Sequence, residues 1–208
     1  MFRIKICGVT RASDARAACA AGADAIGLNF STVSPRRVSL ELAQGIGAAA
    51  SPGVARVGVF VNAPLEEVRE IARLCYLDRI QLGGSESPEY CAAIGRPAVK
   101  TIRLPREQPN LPKFDVDLFH LDTDDIQHAG GTGKTWDYSI ARNVNSQHRA
   151  LLAGGLTPDN VAAAIATSHP FGVDVSSGVE TNQAKDPDKI AMFVQQAQAA
   201  FKRLKADS

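Results

Sequence analysis

Short apolar runs bounded by polar or turn residues recur along the whole chain: RIKIC from Arg3, DAIGLNF from Asp24, ARVGVFV from Ala55, DRIQL from Asp78, PAVKTIR from Pro97, DLFHLD from Asp117, ALLAGG from Ala150 and FGVDVS from Phe171. Rich in Val, Ile, Leu and Phe and only a few residues long, they read as strands buried on both faces. Between most of them the apolar positions shift to helical spacing, as in Leu65, Val68, Ile71, Ala72 and Cys75, or Ile190, Phe193, Val194, Ala197, Phe201 and Leu204. The pattern is strand then helix, repeated eight times.

Local punctuation agrees with that alternation. Thr157, Pro158 and Asp159 read as an N-cap, a first-turn proline and a first-turn acid. Eight units share 208 residues, about 26 apiece, which suits a single-domain α/β (β/α)₈ TIM barrel over residues 1–208 better than an open doubly wound sheet. The fifth unit is the exception: Pro105, Pro109 and Pro112 crowd the segment after PAVKTIR, with Pro97 just upstream, so its helix should be short or absent.

Composition narrows the class without changing the fold. With 45% hydrophobic and 22% charged residues the chain is ordinary globular material. A net charge of +1, with no long run of either sign, argues against nucleic acid and against a polybasic membrane contact. Arg3 and Lys5 interrupt the opening apolar run, unlike a secretory signal, and no stretch of about 18 apolar residues suggests a membrane span. Cysteines 7, 19, 75 and 91 show neither CxxC spacing nor a neighbouring histidine pair, and histidines 120, 128, 148 and 169 are scattered. Neither a metal site nor a disulfide framework is indicated, and a cytoplasmic location is expected.

Strand side chains alternate, so Lys5 and Cys7 should share the inner face of the first strand, and Leu118, His120 and Asp122 that of the sixth. Asp122, Gln81, Asn29 and Asp174 all fall near the carboxyl ends of their strands, where barrels gather their chemistry. A strand cysteine taken alone is usually a small inert hydrophobe, and a strand-ending Asp is commonly a turn residue. Polar groups from five or six separate strands converging on one mouth need a common explanation, and a functional site supplies it.

Glycine-rich loops follow the sixth, seventh and eighth strands: AGGTGKTWD, AGGLTPDN and VSSGVE. The last two lie where barrels bind phosphate, with a short extra helix expected after the eighth strand. GGTGKT is not a P-loop, because His128 stands where the first glycine would be.

At these residues the chain resembles the phosphoribosylanthranilate isomerases: KICG at Lys5 to Gly8, SPR ending at Arg36, GVF at Gly58, LDT at Leu121, GGTGKTWD, LAGGLTPDNV and GVDVSSGVE, in the family's order over nearly the whole chain. The resemblance implies an enzyme without a cofactor that converts N-(5-phosphoribosyl)anthranilate by an Amadori rearrangement. It puts the catalytic base on Cys7, the general acid on Asp122 and the contact with the anthranilate side on Arg36. Phosphate contacts fall on Gly154, Gly155, Ser176, Ser177 and Gly178, with Asp174 on the same wall and Gln81 beside them. It also implies a monomer with a small phosphorylated ligand as its partner. One departure is plain: where the family commonly reads QLHG this chain reads QLGG, so Gly83 replaces a histidine, and Tyr138 stands where a second tryptophan is common.

The chemistry sets requirements. A carboxyl titrating near about 3.9 is ionised at neutral pH, so an acid at Asp122 has to be shifted upward by burial or by neighbouring negative charge. A thiol near about 8.5 is only a few per cent thiolate at pH 7, and Lys5, two residues from Cys7, could assist it or merely fill a layer against an unseen carboxylate. Two other readings use the same loops: a different phosphosugar isomerase or epimerase, and a non-catalytic barrel that binds a phosphorylated metabolite.

Overall fold

The computed structural model describes residues 2–104, 111–123 and 137–206. Eight parallel strands close into a barrel in chain order: β1 Ile4–Ile6, β2 Ala25–Asn29, β3 Ala55–Phe60, β4 Arg79–Leu82, β5 Ala98–Leu104, β6 Leu118–Thr123, β7 Ala150–Leu152 and β8 Gly172–Val175. Each of the eight apolar runs supplies one strand. β8 pairs with β1, with Lys5 in register with Asp174. Closure therefore brings together residues 169 positions apart in the chain.

The helices are α1 Ala12–Ala21, α2 Leu40–Ala49, α3 Leu65–Leu74, α4 Pro88–Ala93, α5 Ala141–Gln147, α6 Val161–Ser168 and α7 Pro187–Ala206. Ser39 and Ser87 cap α2 and α4 by accepting from the backbone N–H groups of Leu42 and Tyr90. Gly22 ends α1 at φ 86°, a left-handed turn open to glycine at little cost. Between β5 and β6 the described residues hold only a 3-10 turn, Leu111–Lys113, and no α-helix. The proline-crowded 105–110 lie outside the described residues.

α6 begins three residues later than the Thr157–Pro158–Asp159 signal suggests. Those residues form a turn in which the Asn160 side chain accepts from Thr157 N (2.8 Å) and Val161 N reaches Thr157 O (3.1 Å). The proline initiates a turn here instead of a first helical turn.

Packing follows the alternation of side chains. Outward-facing Ile4, Ile6, Ile26, Leu28, Ile80, Leu82, Ile102, Phe119, Leu121, Val173 and Val175 form one core with the helices. α7 turns Ile190, Phe193, Val194, Ala197 and Phe201 onto that core, and a fully buried side chain the size of Ile190, Phe193 or Val194 stabilises the fold by about 1.5–3 kcal/mol. Inside the barrel, Phe2, Ala25, Val57, Val99, Leu118 and Leu151 form a separate apolar floor at the amino ends of the strands. Above that floor the interior turns polar. Among the described residues no helix is long and apolar enough to cross a membrane.

Candidate active site

The carboxyl ends of the strands surround a cavity of about 500 Å³. Its lining includes Cys7 from β1, Asn29 from β2, Gln81 from β4, Thr101 and Arg103 from β5, His120 and Asp122 from β6, and Asp174 from β8, together with Arg36 and the loops at 153–156 and 175–177. A second cavity, about 590 Å³, opens at the opposite end around Phe2, Pro52, Arg56 and Asp78. None of the candidate site residues named from the sequence lines it. Of the residues singled out in the sequence, Cys7, Asp122, Arg36, Gln81, Gly154, Gly155, Asp174, Ser176 and Ser177 all reach this one space. Gly178 lies just behind it, packed so tightly that a Cβ there would run into the Leu156 carbonyl.

Midway up the barrel a buried hydrogen-bonded chain crosses the interior. Lys5 Nζ donates to Asp174 Oδ2 (2.8 Å), His120 Nε2 meets the same oxygen (2.9 Å), Thr101 Oγ1 meets His120 Nδ1 (3.3 Å), and Gln81 Nε2 donates to Thr101 Oγ1 at 3.5 Å. Strand register builds two of these contacts, since Lys5 is level with Asp174 and Thr101 with His120. Burial alone would drive the Asp174 carboxyl up, but the Lys5 ammonium and the His120 hydrogen bond outweigh it and hold Asp174 below the usual carboxylate range. Burial would likewise discharge Lys5, yet Asp174 and Cys7 keep its ammonium above its ordinary value.

Cys7 stands one layer higher, in reach of Lys5. Its thiol is pushed up by burial and by the Asp174 charge, with Lys5 pulling the other way without prevailing. Gly27 makes room for the pair: a Cβ there would lie 2.7 Å from Cys7 Sγ and 3.1 Å from Lys5 Cε. Asp122 is half-buried at the rim, its Oδ1 accepting from Thr123 N (2.8 Å), and it is level with Arg103 across the β5–β6 pair. Arg103 donates to the Gly83 carbonyl (3.0 Å), so where Gly83 offers no side chain a guanidinium borders the cavity wall.

Arg36 and Arg37, indistinguishable by local sequence, part company here. Arg36 lines the cavity, whereas Arg37 is exposed. The Arg36 guanidinium holds Glu180 in a forked pair, Nε to Oε1 at 2.7 Å and Nη2 to Oε2 at 2.6 Å. Glu180 also takes Lys185 Nζ (2.6 Å), which in turn donates to Ser176 O (2.9 Å). Glu180 and Lys185 sit on a two-stranded hairpin, β9 Glu180–Thr181 and β10 Ala184–Lys185, that straps the β8 loop against Arg36. The two cations hold the Glu180 carboxyl below its ordinary value despite burial.

The glycine loops present backbone to the cavity. Gly154 and Gly155 adopt φ 79° and 67°, and their carbonyls are tied back, to Tyr138 OH at 2.9 Å and Asn160 Nδ2 at 2.9 Å. Burial and the Asp122 charge push the Tyr138 hydroxyl well up, so it remains a donor. The short extra helix expected after the eighth strand is a single 3-10 turn, Ser177–Val179. Residues 129–136 of the GGTGKTWD loop lie outside the described residues.

Glu180, Lys185 and Thr101 were not singled out by sequence. Alternation along PAVKTIR places Thr101 inward with Arg103, which was the available signal. Glu180 closes the VSSGVE loop, which was its available signal, whereas for Lys185 nothing local pointed to the mouth. Among the described residues no group of three or more His, Cys, Asp or Glu side chains is gathered as a metal ion would need.

Known proteins of this shape carry related sequences. The family model described as N-(5'-phosphoribosyl)anthranilate (PRA) isomerase matches residues 4–196. The N-(5'-phosphoribosyl)anthranilate isomerase of Pelobacter propionicus is 44% identical over 197 residues, covering 93% of this chain and 94% of its own. The crystal structure of phosphoribosyl anthranilate isomerase from Thermotoga maritima superposes with a TM-score of 0.87 at 39% identity, over 96% of this chain and 100% of that one. A second crystal structure of such an isomerase, in complex with reduced 1-(o-carboxyphenylamino)-1-deoxyribulose 5-phosphate, gives 0.83 at 36% identity, over 96% and 100%.

Proposed function

Since the chain belongs to the N-(5'-phosphoribosyl)anthranilate isomerase family, whose isomerisation in tryptophan biosynthesis it catalyses, we propose that Asp122 is the general acid and Cys7 the general base of that reaction. Asp122 gives its proton to the ring oxygen of the furanose as the bond from that oxygen to the anomeric carbon breaks, leaving an open iminium. Cys7 then takes the proton from the neighbouring carbon, and the electron pair released forms the enamine. The enol tautomerises to the 1-amino-1-deoxyketose, so hydrogens are redistributed and no net oxidation occurs. The observation that carries the assignment is the convergence of β1 and β6 on one cavity, with a thiol from the first and a carboxyl from the second.

Further roles follow from position. Gly154, Gly155, Ser176 and Ser177 hold the phosphate, with Gly178 letting the β8 loop pack close behind them, because these loops offer N–H and hydroxyl groups while the Gly154 and Gly155 carbonyls are turned to other partners. Arg36 meets the anthranilate carboxylate with the edge of its guanidinium not engaged by Glu180, and Gln81 and Asp174 face the sugar. One domain spanning 1–208 suffices, acting as a cytoplasmic monomer on a small phosphorylated molecule, without nucleic acid or membrane.

The test is loss of anthranilate fluorescence as substrate is consumed. Cys7→Ala and Asp122→Ala should each lower kcat by about 10²-fold or more with folding intact, and Arg36→Ala should also raise KM. Near wild-type turnover in either of the first two variants rejects its assignment.

A further inference from the structure

The buried chain from Lys5 to Gln81 ends in two unanswered acceptors. Asp174 Oδ1 and Gln81 Oε1 are both buried and, among the described residues, neither has a hydrogen-bond partner. Both side chains line the cavity, at 5% and 4% exposure. A buried acceptor without a donor is costly, and more so when it is charged, so two of them on side chains that line one cavity mark places where donors are wanted.

Which end of the Gln81 amide is left without a partner is decided by its neighbours. Asp174 Oδ2 holds the Lys5 ammonium and meets His120 Nε2, and the other ring nitrogen, Nδ1, meets the Thr101 hydroxyl. Thr101 Oγ1 in turn accepts from Gln81 Nε2. With its NH₂ turned to Thr101, Gln81 leaves Oε1 without a donor.

We propose that Thr101 and His120 are positioning residues that set the hydrogen-bond polarity of the cavity floor, so that Gln81 Oε1 and Asp174 Oδ1 are both presented as acceptors and the site selects a sugar with hydroxyl donors. Reversal of any one bond would present an NH₂ beside a carboxylate, which suits a ligand with one donor and one acceptor. This rests on the isomerase reading, because the hydroxyls concerned are those of the phosphoribosyl chain. It adds two residues that touch neither proton in transit. His120 and Thr101 serve only through the groups they orient.

The experiment uses the full chain. Wild-type turnover is measured first by fluorescence, and its absence would overturn the isomerase reading whatever the Thr101 and His120 variants do. Thr101→Val keeps the volume and removes the hydroxyl, and Thr101→Ser restores it. The expected result is a KM at least fivefold higher in Thr101→Val, with kcat within threefold of wild type and Thr101→Ser within twofold on both. Calorimetry with the reduced 1-deoxyribulose phosphate analogue and its 3-deoxy counterpart gives a second readout. Wild type should prefer the hydroxylated ligand tenfold or more, and Thr101→Val by under threefold. His120→Leu, which removes both imidazole bonds, should show the same loss of preference, and it carries the test if Thr101→Val does not fold. An unchanged KM and preference, a KM defect that serine does not rescue, or collapse of the fold in both variants would overturn the positioning role.

Discussion

Cys7 shows how one side chain is caught between opposing fields. Burial and Asp174 raise its thiol while Lys5 lowers it, and the first two win. A base raised above its ordinary value is scarce at neutral pH, and each unit costs nearly tenfold in thiolate. Alkylation of Cys7 by iodoacetamide, followed peptide by peptide, should therefore rise with pH to a midpoint above the ordinary value of about 8.5. Lys5→Met withdraws the only lowering charge on Cys7's own strand and strips Asp174 of its cation. That variant should alkylate about tenfold or more slowly at pH 8. A midpoint below that of a free thiol, or a faster reaction in Lys5→Met, would contradict this balance. Alternation along RIKIC already showed Lys5 and Cys7 side by side. What it left open, whether Lys5 pairs with a carboxylate, depended on a neighbour 169 residues away that appears only when the barrel closes.

At the scale of elements, the strap formed by β9 and β10 has the largest consequence for the mouth. Glu180 joins Arg36, 144 residues distant, to Lys185 and through it to the β8 loop. The Glu180 carboxyl is held low, so its contribution to stability is complete above its unfolded value of about 4.3 and disappears as pH falls through the depressed folded value. Glu180→Gln should lose that acid-dependent part, giving a melting temperature lower than wild type at pH 7 and a difference that narrows toward pH 3. Its KM should also rise, because Arg36 loses the anion that aims it. Melting curves that stay parallel from pH 7 to 3 would reject the linkage. The eight strands and most helices were readable from periodicity, since period two and period 3.6 are properties of neighbouring residues. The strap was not, because a pair of two-residue strands carries no period. The start of α6 misled for a related reason: Thr-Pro-Asp serves equally well as a cap and as a turn, and Asn160 decides between them through a bond to Thr157.

Across the whole molecule, the barrel separates stability from chemistry along its axis. Leu118 belongs to the apolar floor and Asp122 to the rim of the same strand, four residues on, which at about 3.3 Å per residue is about 13 Å. Between them lies His120, in the layer that orients the sugar-facing groups. Truncation at the floor should therefore cost stability without reaching the proton-transfer groups. Leu118 is completely buried among Phe2, Ala25, Val57, Val99 and Leu151, so Leu118→Ala should cost about 2–5 kcal/mol in denaturant unfolding. At temperatures where the variant stays folded, kcat and KM should remain within about twofold of wild type, since effects more than about 10 Å apart with no shared partner are close to additive. A loss of kcat comparable with that of Asp122→Ala would mean that the floor and the mouth move as one body, and that the polar layer between them transmits strain instead of isolating it.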